Sequence, residues 1–222
     1  MKLHHLTNSR SHRILWMLEE LGVPYELVCY QRESTLLAPE ALKRIHPLGS
    51  SPVLEDNGLV LAESGAILEY LQETYDAQNQ FKPTTPQAKA DYRFWLHYAE
   101  SSLMPLMVMK TVFGNLDRPP VPEMFRKIGA MFGEAVQKTW LNRRIDTHVN
   151  FVEQQLAAHE WFAGDTLSCA DFQMSFPVVA MLARRAPEEL PHARRWLSTV
   201  ESRPAWQKAI EVGGPLILSA GG

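Results

Sequence analysis

Cysteine is scarce: Cys29 and Cys169 are the only two in 222 residues. They lie too far apart for a CxxC pair or a zinc spacing, and two cysteines cannot form a disulfide scaffold. Long apolar runs are also missing. No stretch approaches the roughly 18 uninterrupted apolar residues of a membrane span. Neither sign of charge dominates, since 22 Lys and Arg against 25 Asp and Glu leave a net charge of −3. That balance exerts no global pull toward nucleic acid or an anionic membrane, and neither is expected as a partner. No apolar signal-like stretch follows Met1, so a reducing, cytoplasmic setting is the expectation. What is present is ordinary for a globular chain: 45% hydrophobic and 21% charged residues, enough to bury a core and too apolar for disorder.

The chain reads in two parts. Leu3 to Leu6 is a short strand, followed by a polar turn at Thr7-Asn8-Ser9. From Arg10 the spacing of Ile14, Leu15, Met17, Leu18 and Leu21 predicts a helix that Gly22 ends. Tyr25 to Tyr30 is a second strand, which gives a unit of βαβ size. A short helix at Pro39 to Arg44 precedes a turn-rich loop, Pro47 to Pro52. Two apolar runs, Pro52 to Leu54 and Leu59 to Leu61, flank Asn57-Gly58, the strongest short signal for a hairpin. Ala66 to Tyr75 is helical again. The first part is therefore an α/β unit, residues 1–76.

Residues 77–86 are a polar linker ending in Thr85-Pro86, a hydroxyl N-cap with proline at the first helical position. The second part, 87–222, reads as all-helical. A long helix runs from Gln87 to about Phe113 and is expected to kink at Pro105. A second runs from Glu123 to about His159, and shorter ones cover Ala170 to Arg184, Pro191 to Ser202 and Pro204 to Val212. Beyond Gly213-Gly214-Pro215 the tail is expected to be loosely held.

Three features of the first part suit a ligand. Ser9 stands at the mouth of the first helix, where free amides and the helix dipole favour negative charge. With no base beside it in sequence it is a poor nucleophile, but its hydroxyl suits hydrogen bonding to an anion such as a thiolate; an ordinary cap is the plainer alternative. Glu63-Ser64 opens the third helix: Ser64 and the helix amides suit a carboxylate, and Glu63 an ammonium, which together match the end of an amino acid. Ser51-Pro52 suits a cis bond in a turn, leaving the backbone of Ser51 or Val53 free to pair with an extended peptide along an open sheet edge. Together they describe a site for a small thiol peptide.

The runs Ser9-Arg10-Ser11-His12-Arg13-Ile14-Leu15-Trp16, His46 to Leu54 and Ala62-Glu63-Ser64-Gly65-Ala66-Ile67 resemble the glutathione transferases. So does Gly164 to Asp171, which is similar to that family's capping box and hydrophobic staple; Ser168 can cap the helix while Asp171 replaces the usual Glu. The closest likeness is to the fungal and bacterial group with a Ser-Arg pair after the first strand. The resemblance implies a thioredoxin-like glutathione-binding domain at 1–76 and an all-helical domain from 87. It also implies a homodimer that conjugates glutathione, as co-substrate, to small hydrophobic electrophiles in detoxification. By position, Ser9 would stabilise the thiolate, in competition with Ser11. Ser51 and Val53, beside cis-Pro52, would pair with the cysteinyl part, and Glu63 and Ser64 would hold the γ-glutamyl end. Arg10 would reach a carboxylate or sit on the surface. Ser50 stands where many relatives carry Lys or Gln for the glycine carboxylate, so that contact is weaker or comes from elsewhere.

A second substrate is expected between the domains, against the Met-rich stretch holding Met104, Met107 and Phe113, with Tyr98 a further lining candidate; helix-bundle core is the plainer reading of these residues. His4, His5 and His12 lack ligand spacing, so no metal is expected. Cys169 reads as a small core residue. Glutathione-dependent peroxide or disulfide reduction could run at the same site, and a non-catalytic glutathione-binding protein is the alternative from another class.

Overall fold

The computed structural model describes residues 1–32 and 38–217. Strand β1 (Lys2–Leu6) leads through helix α1 (His12–Leu21) to β2 (Glu26–Tyr30), which pairs with β1 in parallel. A single 3₁₀ turn, Glu40–Arg44, takes the place of the short helix expected there. The hairpin β3 (Val53–Asp56) and β4 (Leu59–Ala62) closes through Asn57 and Gly58, both at positive φ, as a two-residue connection requires. The sheet order is β2-β1-β3-β4, with β3 antiparallel to β1. Helix α2 (Ser64–Tyr75) follows.

This order corrects one expectation. β3 is an interior strand, and Val53 already stands between His4 of β1 and Ala62 of β4. No open edge runs beside it. The β1–β3 pairing stops at His4↔Val53, so only the loop before β3, with Ser51 and the cis peptide to Pro52, lies beyond the ladder.

The remainder is helical: α3 (Pro86–Tyr98), α4 (Met104–Gly114), α5 (Arg126–Val136), α6 (Asn142–Ala158), α7 (Cys169–Leu182), α8 (Pro191–Glu201) and α9 (Pro204–Gly213). Thr85 caps α3, its hydroxyl accepting from the amide of Ala88 at 3.3 Å. The long helix expected through Phe113 is α3 and α4 joined by a π-helical turn, Ala99–Leu103. Pro105 has no N–H to continue an α ladder, and a widened turn stands directly before it. A second π turn, Gln137–Leu141, joins α5 to α6. No helix among the described residues is long and apolar enough to cross a membrane.

Helix α7 is buried along nearly its whole length and packs against α1, α2, α3 and α8, so it is the pillar between the sheet unit and the bundle. Its N-terminus carries the expected capping box. Asp171 accepts from the amides of Ser168 (3.0 Å) and Phe162 (2.9 Å), from the Ser168 hydroxyl (3.1 Å) and from Trp196 Nε1 (3.1 Å). Cys169, one residue on, is fully buried, and burial pushes its thiol up to about 12, as suits an inert core residue. The tail is less loose than expected. Leu216 packs on the core and the Ile217 carbonyl accepts from Asn8 Nδ2 at 2.6 Å; residues 218–222 lie outside the described residues.

Candidate functional site

The carboxyl end of β1, the start of α1, the loop before β3 and the start of α2 form one hydrogen-bonded set. The amide of Leu6, the last residue of β1, is shared between Ser11 Oγ (3.3 Å) and Ser51 Oγ (3.1 Å). Ser51 Oγ in turn donates to the His4 carbonyl at 2.9 Å, so the loop before Pro52 is tied to the strand end. Ser9 Oγ lies 2.8 Å from Ser11 Oγ and accepts from the Ser11 amide at 3.3 Å. The sequence places Ser9 at the helix mouth, but the residue flanking α1 is Ser11, and Ser9 sits two residues farther out. Ser11 has no exposure and Ser9 retains 4%, so Ser9 is the outer of the two hydroxyls.

Ser64 also differs from its expected role. It is the first residue of α2 rather than its cap, and its hydroxyl accepts from Arg13 Nη1 at 2.9 Å. Glu63 is the flanking residue, exposed and held at φ 70°, a conformation a non-glycine side chain rarely adopts. Strain of this kind gathers at ligand sites. Ser50 is exposed in the loop.

Sequence reasoning missed the charged cluster beneath these groups. Arg13 is fully buried and pairs with Glu100 Oε1 at 2.6 Å, and Arg10 Nε reaches both oxygens of the same carboxylate at 2.9 and 3.0 Å. Glu100 lies in the first π turn, on the other side of the domain junction. The two guanidinium carbons each stand 5.6 Å from the Phe176 ring centroid of α7. Arg13 Nε and Nη2 find no hydrogen-bond partner among the described residues, and the Phe176 ring face offers the cation its remaining stabilisation. Burial pushes the Arg13 guanidinium down to about 10, against the pull of Glu100, so it stays charged at neutral pH. Burial raises the Glu100 carboxyl, but the charges and hydrogen bonds of Arg13 and Arg10 outweigh it and leave the group below its ordinary value. The one local hint was the three-residue spacing of Arg10 and Arg13, which puts both on one side of the helix start.

Removing the carboxylate leaves a fully buried cation without its counter-charge. Glu100→Gln is therefore expected to lower stability by about 2 kcal/mol, less than a wholly buried pair because Glu100 is about one-third exposed. Urea unfolding of wild type and variant at pH 7 measures it. The depressed Glu100 pKa sets the sign of the pH effect: this contribution is present above the unfolded value near 4.5 and fades as pH falls below it.

The four lining candidates for a second substrate fall in different surroundings. Tyr98 faces the bundle, its hydroxyl 2.5 Å from His148 Nδ1 and its ring among Phe94, Trp95 and Phe151. Met104 is buried in the core. Met107 floors a cavity of about 250 Å³ between α4, α6 and α7, with Lys110, Asp146 and Arg184 at its rim. Phe113 lines a cavity with Gln137 and Asn142. The π turn changes the helical phase between Tyr98 and Met104. Glu100 and Phe176 stand beside Arg10. The histidines divide as a strand requires: His4 reaches Tyr30 and Glu55, while His5 turns to Ser11 and meets His12 edge-on at 5.0 Å.

Comparison with known proteins adds independent findings. Residues 1–73 match the family model of the glutathione S-transferase N-terminal domain, and residues 120–204 that of the C-terminal domain. The chain is 38% identical over 214 residues to glutathione S-transferase 3 of Schizosaccharomyces pombe, covering 94% of this chain and 86% of that protein. It is 30% identical over 220 residues to glutathione S-transferase 1 of Saccharomyces cerevisiae, covering 95% and 94%. Among solved structures, a glutathione S-transferase from Actinobacillus pleuropneumoniae superposes with a TM-score of 0.79 at 35% identity, over all of this chain and 96% of that one.

Proposed function

The chain belongs to the glutathione S-transferase family and is a transferase with a thioredoxin-like domain followed by a helical one, and on that premise we propose that it joins the glutathione thiol to small hydrophobic electrophiles, with the Ser9 hydroxyl stabilising the thiolate. The observation that carries this reading is the hydrogen-bonded set at the end of β1, where Ser9, the Ser51-Pro52 loop and the start of α2 come together. A free thiol is only a few per cent ionised at neutral pH, so a donor that favours the thiolate raises the reactive fraction directly.

The cysteinyl and γ-glutamyl parts of the tripeptide then have partners. Because the β1–β3 ladder ends at His4↔Val53, the cysteinyl backbone pairs at Ser51, beyond the ladder, rather than along a sheet edge. The γ-glutamyl carboxylate lies at the amino end of α2. Arg13 can only donate, so the Ser64 oxygen accepts from it, which leaves the Ser64 hydrogen free to turn toward that carboxylate. Glu63 faces the ammonium. The electrophile sits beside Arg10, Glu100 and Phe176, at the junction of the two domains.

We also infer a homodimer. The edge strand β4 leaves Leu59 and Val60 exposed, and Phe94 and Phe151, 5.8 Å apart, are exposed on neighbouring helices. The test of function is calorimetric titration with glutathione, followed by turnover across aryl halides, enals and hydroperoxides. Heat of binding with aryl halide or enal turnover is expected. Binding with no turnover of any compound would make this a glutathione-binding protein, and turnover of hydroperoxides alone would make it a peroxidase.

A further inference from the structure

Three short contacts run inward from the outer hydroxyl. Ser9 Oγ is 2.8 Å from Ser11 Oγ, Ser11 Oγ is 2.8 Å from His5 Nδ1, and His5 Nε2 is 2.9 Å from the carbonyl of Gly213 at the end of α9. All three inner groups are buried.

The direction of each hydrogen bond follows from the last one. A carbonyl only accepts, so His5 Nε2 carries a hydrogen and donates to Gly213. Burial holds the His5 pKa below the ordinary imidazole value, against the opposing pull of the Gly213 carbonyl, so the ring is neutral at neutral pH. Its Nδ1 is then bare and accepts. The titratable neighbour across the ring, His12, is held at about 4 by burial, with its proximity to His5 acting in the same direction, and stays neutral too. Ser11 has one hydrogen and three acceptors near it: His5 Nδ1 at 2.8 Å, Ser9 Oγ at 2.8 Å and the Leu6 carbonyl at 3.2 Å. His5 Nδ1 takes it, because among the described residues no other hydrogen serves that nitrogen. Ser9 must then donate to Ser11. Every O–H in the chain points from Ser9 toward His5.

We propose that this oriented chain is a proton relay, in which glutathione's thiol proton passes by way of Ser9 and Ser11 to His5 Nδ1. The inference rests on the glutathione reading above and deepens it. The S–H bond breaks as its proton bonds to Ser9 Oγ, the Ser9 hydrogen moves to Ser11 Oγ, and the Ser11 hydrogen moves to His5 Nδ1. A thiol and a neutral imidazole become a thiolate and an imidazolium, with both serines hydroxyls as before and no electron donor or acceptor required. Both serine O–H groups now point the other way, and the new Nδ1–H points at Ser11, so Ser9 donates to the thiolate. The imidazolium keeps its Nε2–H on Gly213, and the two opposite charges form together. The relay also separates the two serines: Ser9 meets the sulfur, and Ser11 positions and reloads it.

The experiment compares thiolate formed with protons released when wild-type protein binds glutathione at pH 6.5. Thiolate is read from absorbance near 240 nm. Proton release is read by calorimetry in two buffers of different ionisation heat, with S-methylglutathione as the blank for every ionisation except the thiol's. The relay predicts thiolate at least twofold in excess of protons released, because the proton stays on His5. Ser11→Ala interrupts the chain with a small change and is expected to leave roughly tenfold less thiolate at pH 6.5. Stoichiometric proton release by wild type, or an unchanged thiolate titration in folded Ser11→Ala, overturns the relay while leaving glutathione binding intact. Absence of both binding heat and thiolate signal in wild type overturns the glutathione reading itself, and the relay with it.

Discussion

Replacing Asp171 by alanine is expected to cost the fold about 4 kcal/mol, at the upper end for a single substitution. The carboxylate receives four donors, and the amides of Ser168 and Phe162 and the Trp196 indole N–H are buried with it. Alanine orphans all of them at once. It also cuts the tie between α7, α8 and the Trp161–Gly164 turn, and α7 is the element on which both halves of the molecule pack. Guanidinium unfolding of both proteins measures the loss. Its pH dependence has a definite sign. Burial pushes the Asp171 carboxyl up to about 6, against the pull of its four donors, so the folded state favours the protonated group more than the unfolded chain does. That contribution is full below the unfolded value near 3.9 and is lost as pH rises through 6. The penalty of Asp171→Ala is therefore larger at pH 4 than at pH 7.5. Equal penalties at both would mean that the donors outweigh burial.

The second large effect is on chemistry rather than stability. Ser9→Ala removes a hydrogen bond to an ionised sulfur, about 2 kcal/mol, so kcat/KM is expected to fall roughly 30-fold. Glutathione affinity should change by less than about threefold, because the rest of the tripeptide is held at Ser51 and the start of α2. Steady-state kinetics and calorimetry on the same preparation separate the two effects. An unchanged kcat/KM with Ser11→Ala inactive would move the sulfur contact to Ser11.

Local signals carried much of the fold. Asn57-Gly58 is a pair that two-residue hairpins favour, Gly22 ends α1 at positive φ, and Ser168 with Asp171 forms the cap that their spacing suggests. Each depends on residues within a few positions of one another. What stayed hidden depends on distance along the chain. The interior place of β3 follows from which strands pair, and Glu100 meets Arg13 across 87 positions. The π turn is a further case. It breaks the α-helical ladder between α3 and α4 where the sequence pattern reads one continuous helix, and Glu100 lies within it. His5 looked like one of three unspecific histidines. Only the folding of α1 and the end of α9 against β1 gives it Ser11 on one nitrogen and Gly213 on the other.

Everything proposed about catalysis requires the tripeptide's sulfur to face the outer of two linked hydroxyls. A crystal structure of the protein with glutathione tests this directly. The sulfur should lie within about 3.5 Å of Ser9 Oγ, with the γ-glutamyl carboxylate at the first turn of α2. Glutathione bound with its sulfur turned away from Ser9, or seated outside the β1–α1 loop altogether, would contradict the account.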